Sequence, residues 1–124
     1  MDEAASPAVP RADGAIRSAI SQALVQLHAE HYGKGATQAK TYLWDSLVVT
    51  VLRDVLTTSE RTLVRAERAD TVKEVRAAFQ STMEPLFCEA VERITGRRVA
   101  SFLSQVDPVN GVGVEVFVLE PERD

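Results

Sequence analysis

Leu47-Val48-Val49-Thr50-Val51-Leu52 is the stretch that most constrains what this chain can fold into. It is β-forming and apolar at both alternating positions, so as a strand it presents hydrophobic side chains to both faces of a sheet. A run of that kind belongs in the middle of a sheet. A helix layer is expected to cover one face, and a second protomer is the natural candidate for the other.

The neighbouring segments supply the rest of an α+β domain. Residues 37–44, rich in Thr, Tyr and Trp, read as a strand that turns through Asp45-Ser46 into the central strand at 47–55. The turn lacks the glycine that usually marks so tight a connection. Strands at about 97–106 and 112–119 flank Asp107-Pro108-Val109-Asn110-Gly111, a dense turn signal. In the last strand Val112, Val114, Val116 and Val118 share one face, with Phe117 and Leu119 on the other. Trp44, at a strand end next to the turn, has two readings, a mark of an exposed contact surface or edge packing in the core, and the second is expected.

Helical spacing fills the gaps. Ile16, Ile20, Ala23, Leu24 and Leu27 give a buried stripe over about 14–32, with Asp13 as a cap and Gly33 as the stop. Thr57-Thr58-Ser59-Glu60 reads as a capping box that opens a short helix to about residue 67. A long helix from Asp70 or Thr71 to Thr95 is expected to bury Val72, Val75, Phe79, Met83, Leu86, Ala90 and Ile94. Phe87 and Val91 widen that arc, Gly96 caps the end, and Pro85 is expected to kink or break the helix. The order α-β-β-α-α-β-β implies a four-stranded, mostly antiparallel sheet with helices on one face. Residues 1–12 read as a flexible leader, 13–120 as the single domain and 121–124 as a tail.

Composition narrows the function classes. The 124 residues suit one domain with a real core, and a net charge of −4 argues against nonspecific nucleic-acid binding. Cys88 is the one cysteine, so no intrachain disulfide forms and a reducing, cytoplasmic setting suffices. No signal peptide or spanning segment is expected.

The motifs carry little chemistry. Tyr32-Gly33-Lys34-Gly35 resembles a phosphate loop only in composition: it follows a helix C-terminus, whereas phosphate loops lead into a helix N-terminus. Lys34 is better read as offsetting the negative helix end. His28 and His31 are three apart but lack further ligands at supporting spacing, so no metal is expected. Cys88 sits among Glu84, Glu89 and Glu92, which raise a thiol pKa and oppose a nucleophilic role. Turn chemistry accounts for Asp45, Asp54 and Asp107. Arg61, Arg65 and Arg68 fall on one face of the short helix, and Arg97 and Arg98 form a second basic point. Their functional reading is docking of an acidic partner or an anion; their plain reading is a solvated surface.

Taken together, several segments resemble a bacterial family named for MpsC. They are Tyr32-Gly33-Lys34-Gly35, Val55-Leu56-Thr57 with Glu60 and Leu63, Val72, Val75-Arg76, Phe79, Pro85, Thr95-Gly96-Arg97-Arg98-Val99, Asp107 and Val116-Phe117-Val118-Leu119. Ala36 stands where the family usually has proline. The resemblance implies a soluble domain with no settled catalytic role. It also implies a link to a sodium-dependent, membrane-potential-generating system whose membrane partners look like inorganic-carbon transporters.

The sequence therefore points to a non-enzymatic, cytoplasmic accessory or regulatory domain. It is expected to be a homodimer, with a membrane-transport protein as partner and no cofactor or nucleic acid. The alternative is a small-ligand or anion-sensing module contacted by Lys34, Arg97 and Arg98.

Overall fold

Two hairpins build the sheet, and three helices cover one side of it. The computed structural model describes residues 8–121, with side chains from residue 13 onward. Helix α1 (Ala8–Tyr32) leads into β1 (Gln38–Trp44) and β2 (Leu47–Arg53). Helices α2 (Thr58–Arg65) and α3 (Ala69–Thr95) follow, and β3 (Val99–Asp107) and β4 (Val112–Leu119) close the chain. All pairings are antiparallel in the order β1-β2-β4-β3, so β2 and β4 are the inner strands.

The first hairpin turns at Asp45, which adopts φ 50, a left-handed conformation that Asp tolerates without glycine. The second is fixed by the Asp107 carboxylate, which accepts from the amides of Val109 and Asn110, while Gly111 takes φ 68. The start of α2 and the end of α3 match their sequence signals. Thr57 and Glu60 exchange the two bonds of a capping box, at 2.8 and 3.2 Å, and Gly96 ends α3 in the left-handed region.

Four local expectations need correction. Helix α1 begins at Ala8, ahead of Asp13, so residues 8–12 of the expected leader are helical; residues 1–7 lie outside the described residues. Helix α3 runs unbroken through Pro85, whose exposed ring sits on the solvent side. Helix α2 stops at Arg65, and Glu67 (φ 61) turns the chain, so Arg68 is the N-cap of α3 and does not share a helix face with Arg61 and Arg65.

The fourth correction concerns the buried face of α3. It carries Val72, Arg76, Gln80, Met83, Phe87, Ala90 and Val91, whereas Val75, Phe79 and Leu86 are exposed. An apolar stripe drawn by hydrophobicity alone rotates the helix away from Arg76. That side chain is buried because it has partners inside.

Every fully buried strand residue points to the helices: Thr41 in β1, Val48, Thr50 and Leu52 in β2, Val106 in β3, and Gly113, Glu115, Phe117 and Leu119 in β4. The core forms two apolar clusters. One joins Ile20, Leu24, Val48, Met83, Phe87, Val91, Phe117 and Leu119; the other joins Leu52, Val55, Leu56, Val72 and Val106.

Candidate functional site

The strand register lays out two faces of different chemistry. On the side away from the helices, one row runs Tyr42, Val49, Val116, Leu103 across the four strands. The rows on either side read Lys40, Val51, Val114, Gln105 and Trp44, Leu47, Val118, Ser101. A last row, Gln38, Arg53, Val112, Asp107, closes one end with polar groups. The inner strands β2 and β4 are thus apolar over three rows, and polar residues are confined to the edges and one end. Among the described residues no element covers this face. Leu103 is 57% exposed and Trp44 56% exposed, so Trp44 stands on the open face and not at the edge of the core. Its ring stacks on Tyr42 at 5.4 Å, and the Lys40 ammonium lies 5.2 Å from the Tyr42 centroid.

On the helix side the central row is polar across all four strands: Thr41, Thr50, Glu115, Ser104. The two apolar clusters lie on either side of this row in the register. Ser21 of α1, Thr41 and Thr50 form a hydroxyl chain with two 2.8 Å hydrogen bonds. Glu115, 1% exposed, faces His28 Nε2 through Oε2 at 3.5 Å. Its Oε1 and the Ser104 hydroxyl have no hydrogen-bond partner among the described residues. The His28 Nδ1 lies 2.8 Å from the Leu24 carbonyl, which can only accept, so Nδ1 carries a hydrogen.

His28 stacks between Tyr32 and Phe87 at 5.2 and 5.3 Å, which carries the polar row towards a second buried group. Arg76 lies over the Tyr32 ring at 4.2 Å and donates to both oxygens of Glu60 and to the Val55 carbonyl. Burial pushes the Tyr32 phenol up to about 12, against the pull of Arg76. Burial also pushes the Glu60 carboxyl up, but the Arg76 hydrogen bond and the Thr57 amide outweigh it and hold the group below its ordinary value.

The six basic residues singled out in the sequence do not form one site. Lys34 donates to the Asp54 and Gly35 carbonyls at 2.8 and 3.2 Å and lies 3.4 Å from the Asp54 carboxylate, tying the end of α1 to the end of β2. Arg97 is at the other end of β2. It donates to the Asp45 carbonyl, the Ser46 hydroxyl and the Glu120 carbonyl, each at 2.8 Å, and so fastens the first turn to the end of β4. Arg98 is exposed, 3.9 Å from Glu120. Arg61 donates to the Leu56 carbonyl at 2.7 Å and, with exposed Arg65, lines an open cleft of about 360 Å³ against Val109 and Asn110. Arg68 is exposed at the start of α3.

His28 is buried while His31 is exposed, and among the described residues no three His, Cys, Asp or Glu side chains gather as a metal site. Burial, then Glu84 and Glu92, push the Cys88 thiol up to about 11. Among the described residues no helix is long and apolar enough to cross a membrane.

The family described as "Na+-translocating membrane potential-generating system (MpsC)" matches residues 12–121. The chain belongs to the MpsC family. It is similar to "Uncharacterized protein YbcI" of Bacillus subtilis (strain 168), 27% identical over 111 residues, which is 88% of this chain and 89% of that protein. No solved structure matches it. Five residues from the segments that resemble other MpsC chains meet in one place: Tyr32, Val55, Thr57, Glu60 and Arg76 form the connected group around the buried guanidinium. These MpsC markers therefore describe how α1, β2, α2 and α3 are fastened together. The sequence signal for Glu115 was an acidic residue inside Val114-Glu115-Val116-Phe117, in phase with Phe117.

Proposed function

We propose that this MpsC-family chain is a non-catalytic accessory domain that acts by protein contact, with the open face of the sheet as its working surface. One observation carries the reading: β2 and β4 present Leu47, Val49, Val51, Val114, Val116 and Val118 on a face that no described element covers. Val118 is exposed and the other five are half-buried, and a contiguous apolar face left uncovered in this way marks an interaction site. The description of the family supplies the setting, a membrane ion-translocating system, in which this chain would be a cytoplasmic peripheral component.

A photo-activated cross-linking residue in place of Leu103, in the full chain expressed in its native host, tests the reading. A discrete protein adduct on illumination, lost when Val116→Glu is added, is expected. Absence of any adduct would sink it. The alternative, anion sensing, is favoured only by the cleft beside Arg61 and Arg65. A thermal-shift panel of phosphate, bicarbonate and nucleotides reads it directly, since a ligand at 100 times its dissociation constant adds about 2.7 kcal/mol.

A further inference from the structure

Protein contact through the open face leaves its occupant to be named. Resting on that proposed function, we infer that the occupant is a second copy of the chain, packed sheet against sheet about a two-fold axis that runs parallel to the strands between β2 and β4.

The segments of this sequence outside the described residues do not fit the face. Residues 1–7 and 122–124 hold Met1 as their one large apolar side chain. The face itself is self-complementary. Rotation about the stated axis exchanges β2 with β4 and β1 with β3, so each row meets its own copy in reverse order. In the middle row Tyr42 then meets the partner's Leu103 and Val49 meets the partner's Val116. Val51 meets the partner's Val114, and Leu47 the partner's Val118. At the edges bulky Trp44 meets the partner's small Ser101, and Lys40 meets the partner's neutral Gln105. In the end row Arg53 is one strand away from the partner's Asp107. No like charges are opposed, and the only opposite charges lie together at the rim.

The other in-plane axis, perpendicular to the strands, is worse. It lays Arg53 on the partner's Leu47 and Gln38 on the partner's Trp44, which desolvates polar groups without partners. Sheets packed in register with their strands, at about 30° from parallel, are the common arrangement of β-sandwiches.

The area is also sufficient. Four strands at ~4.8 Å and seven residues at ~3.3 Å give a projected face of roughly 19 by 23 Å, or roughly 900 Å² over both copies. Side chains standing out of the plane add accessible area to that projection, which puts the face on the ~1,000 Å² scale of a specific interface.

The test begins with the mass of the purified full chain by light scattering. Twice the 13.6 kDa chain mass is expected at ten micromolar, falling to a single chain mass in Leu103→Glu and Val116→Glu. Both side chains point away from the core, so far-UV circular dichroism should not change. A Cys88→Ser background then carries Tyr42→Cys in one preparation and Leu103→Cys in another, treated with a short bismaleimide. The mixture is expected to cross-link efficiently and each preparation alone hardly at all. Two copies of residue 42 lie three strand spacings apart laterally, roughly 14 Å, whereas residue 42 faces residue 103 of the other copy.

A monomer at 100 micromolar overturns the inference. So does a dimer that both Glu variants leave intact, or one in which the single preparations cross-link as well as the mixture. If the chain is monomeric and the cell-based adduct at residue 103 contains another protein, the inference falls while the contact reading stands.

Discussion

Arg76 grips Glu60 through two hydrogen bonds of 2.7 Å, yet the two side chains are not equally buried: 2% of Arg76 and 14% of Glu60 is exposed. That difference makes the pair asymmetric to mutation. Glu60→Ala strands a buried guanidinium and removes half of the capping box, so a loss of about 3–5 kcal/mol is expected. Arg76→Met leaves an apolar side chain of similar size and a carboxylate that can still cap α2 and reach water. Its cost is expected to be smaller, about 1–3 kcal/mol, chiefly from the abandoned Val55 carbonyl. Urea denaturation of both variants checks the order, and equal or reversed losses would contradict it.

The same pair sets part of the acid limb. The folded carboxyl of Glu60 lies below its ordinary 4.5, so the folded chain binds that proton less readily than the unfolded chain. The stabilisation is therefore complete above pH 4.5 and is lost as pH falls through the folded value. Exposed Asp107 shifts in the same direction, through Asn110 first, so the comparison must isolate Glu60. Melting temperatures of the parent chain and Glu60→Gln should converge as pH drops. A gap that stays constant with pH would place the effect elsewhere.

Much of the architecture was legible because local signals agreed with one another. The capping box at Thr57, the left-handed stop at Gly96 and the alternation through Val112–Leu119 each specify an element without help from distant residues. The polar interior was not legible, because a buried polar side chain is recognised by its partners, and these come from remote segments. Arg76 reads as a surface residue until Glu60 and the Val55 carbonyl are placed beside it, 16 and 21 positions away. That one omission moved Val75, Phe79 and Leu86 wrongly into the core. Lys34 and Arg97 were visible as cations, but the carbonyls they bind belong to turns whose positions only the folded chain defines.

The contact between His28 and Glu115 specifies a tautomer. With Nδ1–H directed at Leu24, the Nε2 atom is the one left to face Glu115 Oε2, at 3.5 Å in a site closed to solvent. Nitrogen-15 spectra of the imidazole should show Nδ1 protonated at neutral pH. Glu115→Gln, whose amide can donate to Nε2, is expected to cost less than Glu115→Leu, which leaves Nε2 unpaired at about 1–3 kcal/mol. A dominant Nε2–H neutral tautomer would refute the arrangement.

Cys88 should be slow to alkylate. Its thiol is pushed from 9.0 to about 11, by burial first and then by Glu84 and Glu92, which lowers the thiolate fraction at pH 8 roughly 100-fold. Iodoacetamide labelling followed by mass spectrometry is expected to show that retardation in the folded chain and its loss in denaturant. Labelling at the rate of a free thiol in the folded chain would rule it out.

The two glycines flanking Lys34 serve different purposes, and substitution should separate them. Gly33 closes α1 at φ 80, and a methyl group there would find no atom within 4 Å, so Gly33→Ala meets only the left-handed backbone penalty, about 1 kcal/mol. A Cβ on Gly35 would stand 3.0 Å from the Val25 carbonyl oxygen and 3.1 Å from the Val25 side chain. Helix α1 and the strand entry must then move apart, at an expected cost of about 1–3 kcal/mol. That movement also pulls Lys34 from the Asp54 carbonyl, so Gly35→Ala should speed amide exchange at the end of β2 while Gly33→Ala leaves it unchanged. Hydrogen-exchange mass spectrometry over residues 50–56 reads the difference, and equal exchange in the two variants would show that the close approach of Gly35 to α1 does not hold this joint together.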